Sequence, residues 1–295
     1  MSDKIAGLLT LHPTEGAGDV NYRATIDPTF TIGPKVHGGT MQMLVARAAL
    51  RAYDDLVEAG ASTTPGATTT AAPSTLRSAD LVPVAIASDY LAAPDPAAVD
   101  LSVTLRKRGR TVTLLSVDLA QNGRLMVSSS VTLARPDSGT PHHSAPSVLD
   151  DLPAQPQPDG ISIDGSPVGD VMHLGSALDL VLDPTSFPVA RGETGEPVVR
   201  GWTRPKNTEP DVEFSVLVCD ISPPVVMNLA LFGWAPTVQL TTYVRRRPAP
   251  GWLRFAASST EVGPGMFEED HLVVDSTGTV VAQSRQLALI PQRQG

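Results

Sequence analysis

Cysteine, positive charge and long apolar runs are scarce in this chain, and each scarcity closes off a class of protein. One cysteine, Cys219, permits no internal disulfide and no cysteine metal cluster. The formal charge is −9, from 22 Lys and Arg against 31 Asp and Glu. A basic surface for broad nucleic-acid binding is therefore not expected, although a local group of arginines could still hold an anionic ligand. No apolar run reaches the ~18 residues a membrane span requires. The stretch from Met1 to Leu9 has no basic segment leading into an apolar core and a small-residue cleavage site. The expectation is a soluble cytoplasmic protein with neither a membrane nor a nucleic-acid partner.

What is present fits a packed globular chain: 41% hydrophobic and 18% charged residues over 295 positions, room for two domains of ordinary size. Asp19 to Asp27 alternates polar and apolar residues and predicts a strand. After His37-Gly38-Gly39-Thr40, the residues Met41, Leu44, Val45, Ala48 and Ala52 recur at helical spacing. Ala61 to Thr75 reads as a Thr/Ala/Pro-rich loop. Strands are expected over 80–91, 100–106, 111–120 and 124–134, with Gly109-Arg110 and Asn122-Gly123 as turns. Pro83 suggests an edge or a bulge.

Proline, serine, aspartate and glycine then dominate to about Gly169, as in a linker. Beyond it the pattern restarts: strands over 176–183 and 198–204, a helix from Phe214, then strands over 237–247, 252–261, 269–275 and 279–290. Pro223-Pro224 ends or kinks the helix, and Val225 to Phe232 could continue it. The restart is a repeat. Gly123 precedes Val131 by the same interval that separates Gly278 from Gln286, within strands of similar composition. Two copies of one helix-plus-antiparallel-sheet unit are the simplest account. The expected division is 1–135, a linker over 136–169, and 170–295.

The second copy places three polar residues where apolar ones would serve the core. Asp220 ends the helical run Phe214 to Cys219, Thr237 opens a strand, and Gln286 stands where the first copy has Val131. An unpartnered polar group in a buried strand costs roughly 1–3 kcal/mol, so Gln286 points to a function. Its neighbour Gln283, and Thr241 and Thr242 near Thr237, are the ordinary surface or strand cases. His37 reads as a hydrogen-bonding residue at a helix entrance. Gly38 and Gly39 would let a ligand approach bare N–H groups at the positive end of the helix dipole. The basic runs Arg106-Lys107-Arg108 with Arg110, and Arg245-Arg246-Arg247, suit either a solvated turn or an anion. His142-His143 lacks the spacing of a metal site.

His37-Gly38-Gly39 before an alanine-rich helix, with the Asp220, Thr237 and Gln286 sequence of the second copy, resembles the type II acyl-CoA thioesterases. That resemblance implies an α+β tandem (double) hotdog, two antiparallel sheets each wrapped around a central helix. It implies hydrolysis of a fatty acyl-CoA by a water that Asp220, Thr237 and Gln286 hold. His37, Gly38 and Gly39 would form one side of the acyl-CoA pocket, with no metal or redox cofactor. Two fused units mimic a hotdog dimer, which leaves homo-oligomers possible but not required. The rivals are an enoyl-CoA hydratase or dehydratase, which would need an Asp beside His37, and a non-catalytic acyl-CoA-binding protein.

Overall fold

Side chains that alternate between core and solvent along each strand determine how this chain is layered. The computed structural model describes residues 3–58 and 77–291. The loop expected over 61–75 lies outside them. In the first half, α1 (Lys4–Leu8), β1 (His12–Thr14), β2 (Val20–Thr25) and the small β3–β4 hairpin (Thr31–Ile32 and Lys35–Val36) lead into α2 (Gly38–Glu58). Then come β5 (Val82–Tyr90), β6 (Ala98–Arg108), β7 (Val112–Gln121) and β8 (Arg124–Ala134). The second half contains β9 (Ile161–Ser162), β10 (Leu178–Leu182), β11 (Val198–Pro205), α3 (Val212–Val218), β12 (Thr237–Val244), β13 (Leu253–Ser258), β14 (Met266–Val274) and β15 (Val280–Leu289).

The two halves form one antiparallel sheet in the order β1-β2-β6-β7-β8-β5-β12-β15-β14-β13-β11-β10-β9. The seam is the pairing of β5 with β12, from Gln239 opposite Asp89 to Thr242 opposite Ile86. Pro83 sits at a bulge against β8, before the pairing with β12 begins, so its missing N–H breaks no bond across the seam. One buried side chain spans the seam from α2. Gln42 donates to the Ser88 hydroxyl on β5 and to the Leu240 carbonyl on β12, each at 3.1 Å, and accepts from the Thr242 hydroxyl at 2.6 Å.

The helices are less alike than the repeat suggests. α2 runs for 21 residues and starts at Gly38, so both glycines lie in its first turn rather than before it. α3 has seven residues, capped by the Asp211 carboxylate on the Phe214 N–H, and stops before Asp220. Pro223 and Pro224 preclude its continuation. The second helical piece is only a 3₁₀ turn, Val225–Leu229, closed by Ala230 at φ 60°. α3 packs against α2, β12 and β15, so the helices of both halves share one core.

On the opposite face, the segment before β9 covers the second half. Leu149 and Leu152 pack with Trp202, Ala256 and Val274. The Trp202 indole donates to the Pro153 carbonyl at 2.7 Å, and Arg254 donates to the Leu152 carbonyl at 2.6 Å.

Register makes the repeat concrete. In the first half Val131 lies between Ile86 and Leu115, all three fully buried. In the second half Gln286 lies between Leu240 and Glu269. An apolar row of three has become one apolar and two polar residues.

Candidate active site

α2 begins beneath His37, whose ring is buried. Its Nδ1 accepts the Thr40 backbone N–H at 3.2 Å. A backbone N–H can only donate, so the ring proton must sit on Nε2, which donates to the Asp220 carbonyl at 2.6 Å. Burial pushes the His37 pKa down to about 4, and the ring is neutral. Both nitrogens are occupied by the fold, and His37 serves to hold the chain at Asp220.

Asp220 follows α3 by two residues, its N–H bonded to the Leu217 carbonyl at 3.1 Å. Its carboxylate accepts the Gly39 N–H in the first turn of α2. A Cβ on Gly38 would stand 2.6 Å from its Oδ2, and a Cβ on Gly39 would stand 2.8 Å from the Leu217 carbonyl oxygen. The two glycines thus admit the other half of the chain against bare helix backbone. The Tyr90 hydroxyl closes the same corner by donating to the Gly38 carbonyl at 3.0 Å.

The Asp220 side chain is 10% exposed. Burial raises its pKa to about 7 in spite of the Gly39 hydrogen bond, which favours the ionised form. The same burial, with Asp220's charge nearby, pushes the Tyr90 phenol well above its usual range.

A second polar chain runs along the sheet. The Thr237 hydroxyl donates to Gln286 Oε1 at 2.8 Å, and Gln286 Nε2 donates to Glu269 Oε1 at 3.1 Å. Glu269 also accepts from the Ser222 hydroxyl at 3.1 Å and the Val225 N–H at 2.9 Å. Burial first, then the charge of Asp220, raises the Glu269 pKa to about 7. His271 Nε2 lies 3.1 Å from Ser222 Oγ, and burial drives its pKa to about 3.

Of the residues expected at the site, Thr237 and Gln286 are joined directly. Gln286 points inward while Gln283 faces out. Asp220, His37, Gly38 and Gly39 form a second group. What links the groups is Glu269, bonded to Gln286 and within electrostatic reach of Asp220. Reading the strand as starting at Glu269 hid this residue. β14 starts at Met266, and its alternation turns Phe267, Glu269, His271 and Val273 inward together. A buried Glu and His between apolar neighbours is a signal that period two could have exposed. Tyr90 left no such signal, since only the fold brings it to Asp220.

The second basic run is engaged in part within the fold. Arg245 pairs with Asp137, and Arg247 donates to the Ala79 and Leu81 carbonyls. Among the described residues no group of three or more His, Cys, Asp or Glu side chains is placed to hold a metal. Nor is any helix there long and apolar enough to cross a membrane.

The raised Asp220 pKa also predicts how stability depends on pH. Its folded pKa of about 7 lies above the ordinary 3.8, so between those values the folded state binds more protons than the unfolded state. Stability contributed by the neutral form is therefore present below the ordinary carboxylate range and lost as pH rises toward 7. Asp220→Asn should raise Tm at pH 8, by about 1–3 kcal/mol of stability, and leave it near the parent's at pH 4. Thermal melts at the two pH values test this; an equal shift at both would show that the charge is not the cause.

Known proteins supply an independent comparison. The family described as acyl-CoA thioesterase N-terminal domain matches residues 25–134, and the corresponding C-terminal domain family matches residues 149–290. An uncharacterized protein of Mycobacterium tuberculosis, Rv0499, is 37% identical over 285 residues, 92% of this chain and 91% of that one. The crystal structure of a "putative thioesterase II" from Thermobifida fusca superposes with a TM-score of 0.76 at 25% identity, covering 98% of this chain and 97% of that one. A hotdog-fold protein of unknown function from Alicyclobacillus acidocaldarius shares the fold at a TM-score of 0.73 and 16% identity, with 99% of each chain covered. The two domain families fall, in their proper order, on the two halves of the sheet either side of the β5–β12 seam, and the chain belongs to the acyl-CoA thioesterase family.

Proposed function

We propose that this protein hydrolyses an acyl-CoA thioester with a water activated by Asp220 and oriented by Thr237 and Gln286. The fold in this reading is two hotdog units fused in one chain, meeting at the β5–β12 seam. The observation that carries the proposal is the Asp220 carboxylate, buried against bare backbone at the N-terminus of α2 with its pKa raised to about 7. A general base works best when its pKa lies near the working pH, and an exposed aspartate at 3.8 would be too weak.

In the proposed reaction Asp220 takes one proton from water as its oxygen attacks the thioester carbonyl. The carbon–sulfur bond then breaks, and the proton leaves with the CoA thiolate, giving a free acid and CoA. Thr237 Oγ has given its proton to Gln286, so it meets the water as an acceptor. The Gly39 N–H is engaged with Asp220, which leaves Gly38 as the candidate donor to the carbonyl oxygen.

One observation bears on dehydratase chemistry. His37 does have an acid beside it, supplied by the other half of the chain: Nε2 lies 3.6 Å from Asp220 Oδ2. Yet Nε2 already donates its proton to a carbonyl and Nδ1 accepts from a backbone N–H, so neither nitrogen is free to exchange a proton with a substrate. The test is CoA release from saturated acyl-CoAs of increasing length, beside hydration of crotonyl-CoA. Thiol release across the series is expected. Hydration without thiol release would overturn the proposal in favour of the dehydratase, and binding with neither reaction would leave an acyl-CoA-binding protein.

A further inference from the structure

Among the described residues, each of the three groups hydrogen-bonded to the Glu269 carboxylate is a donor. The Val225 N–H is one by its chemistry. Ser222 gives its one proton to Oε1 and receives the Nε2 proton of the neutral His271. Gln286 points its Nε2 at the same oxygen. An ionised carboxylate is acceptor-only and satisfies all three. Turned over, the Gln286 amide would set its own carbonyl oxygen against that carboxylate, with no proton between two acceptors.

The order of the amide then dictates the next link. With Nε2 committed to Glu269, Oε1 faces Thr237, which must donate its one hydroxyl proton. Its oxygen is left with lone pairs alone for anything on its far side. The repeat shows how the two halves differ at this point: Glu269 and Gln286 stand where the fully apolar row of the first half has Leu115 and Val131. Two adjacent apolar residues replaced by a donor–acceptor pair, both buried, cost stability unless they complete each other.

We propose that Glu269 is a positioning residue whose carboxylate sets the direction of the Gln286 amide and, through it, commits the Thr237 hydroxyl to accept from the reacting water. The inference deepens the hydrolase reading and rests on it for the identity of that water.

The device depends on protonation. A protonated Glu269 turns one oxygen into a donor and leaves the other a neutral, weaker acceptor, so the amide is held less firmly in one direction. The titratable groups around Glu269 are Asp220 from the turn after α3 and His271 on β14 itself, with His37 beyond, within electrostatic reach of His271. Both histidines are neutral, so the one charge that opposes ionisation of Glu269 is that of Asp220. The ordered amide is therefore the high-pH state, lost as pH falls through about 7.

The test follows the Gln286 carboxamide by NMR in protein labelled with ¹⁵N-glutamine, its signal assigned by its absence from Gln286→Met. In the parent protein its N–H shifts should titrate with a midpoint near neutral pH. In Asp220→Asn the titration should persist with a lower midpoint, since a neighbouring charge is gone. In Glu269→Gln it should vanish, while kcat at pH 8 falls about tenfold or more and KM stays within about twofold. Carboxamide shifts that do not move between pH 8 and pH 5, or that Glu269→Gln leaves titrating as before, overturn the proposal. If Glu269→Gln does not fold, the parent titration alone still decides. Because the spectrum is read without substrate, absence of CoA release would defeat the hydrolase reading and leave the amide ordering to be judged separately.

Discussion

Asp220→Asn should lower kcat for acyl-CoA hydrolysis by about 10²–10⁴-fold at pH 8 and change KM by no more than a few fold. Asn keeps the shape and can still accept the Gly39 N–H, so the polypeptide around it has little reason to move. It cannot take a proton from water. The parent profile should carry the same information: kcat rising with pH and levelling above about 7, because only the ionised carboxylate is a base. The sign follows from burial, which stabilises the neutral form and shifts the acid limb up from the ordinary carboxylate range. Glu269 titrates beside it, so the limb belongs to the pair and is broader than that of a single group. A kcat that is flat from pH 5 to pH 8, or an Asn variant within threefold of the parent, would remove Asp220 from the chemistry.

Gly39→Ala is expected to destabilise the protein strongly, against what helix propensity alone predicts. Alanine is favoured over glycine inside a helix by about 0.5–1 kcal/mol. Here the new Cβ would stand 2.8 Å from the Leu217 carbonyl oxygen, 2.9 Å from Asp220 Cβ and 2.9 Å from His37 Cε1. None of these is the free end of a flexible chain. Relieving the overlap means backing α2 away from the end of α3, and overpacking of this kind costs about 1–3 kcal/mol or more. The clash should win, with a fall in Tm on the order of 5–10 °C and loss of activity as Asp220 is displaced. Gly38→Ala is the useful companion. Its Cβ meets only the Asp220 Oδ2 at close range, 2.6 Å away, and a carboxylate can rotate. It should therefore cost less stability while still impairing activity. A Gly39→Ala protein as stable as the parent would show that the helix and the Asp220 turn are not in the tight contact described.

Much of this molecule was legible in its sequence, and for a local reason. Strand alternation and turn residues act over a few neighbours, so β7, β8 and β15 are predicted close to where they form. The repeat follows from the same signals: equal spacing from Gly123 and Gly278 marks Gln286 as the polar counterpart of Val131. Boundaries drifted where tertiary contacts extend an element, as β14 extends back to Met266 under pairing with β15. What Gly38 and Gly39 make room for, the Asp220 turn of the other half, leaves no local trace.

The tertiary structure decided what the site consists of. Asp220 meets Gly38 and Gly39 only because β5 and β12 join the two halves and α3 docks against α2, bringing together residues some 180 positions apart. No periodicity encodes a contact of that range. The proton order from Thr237 through Gln286 to Glu269 likewise depends on which donors surround one carboxylate, and those come from three separate elements. Sequence alone determined which residues are polar inside an apolar pattern. Packing decided which of them face one another, since burial is what makes an unpaired proton or charge costly enough to select a single arrangement.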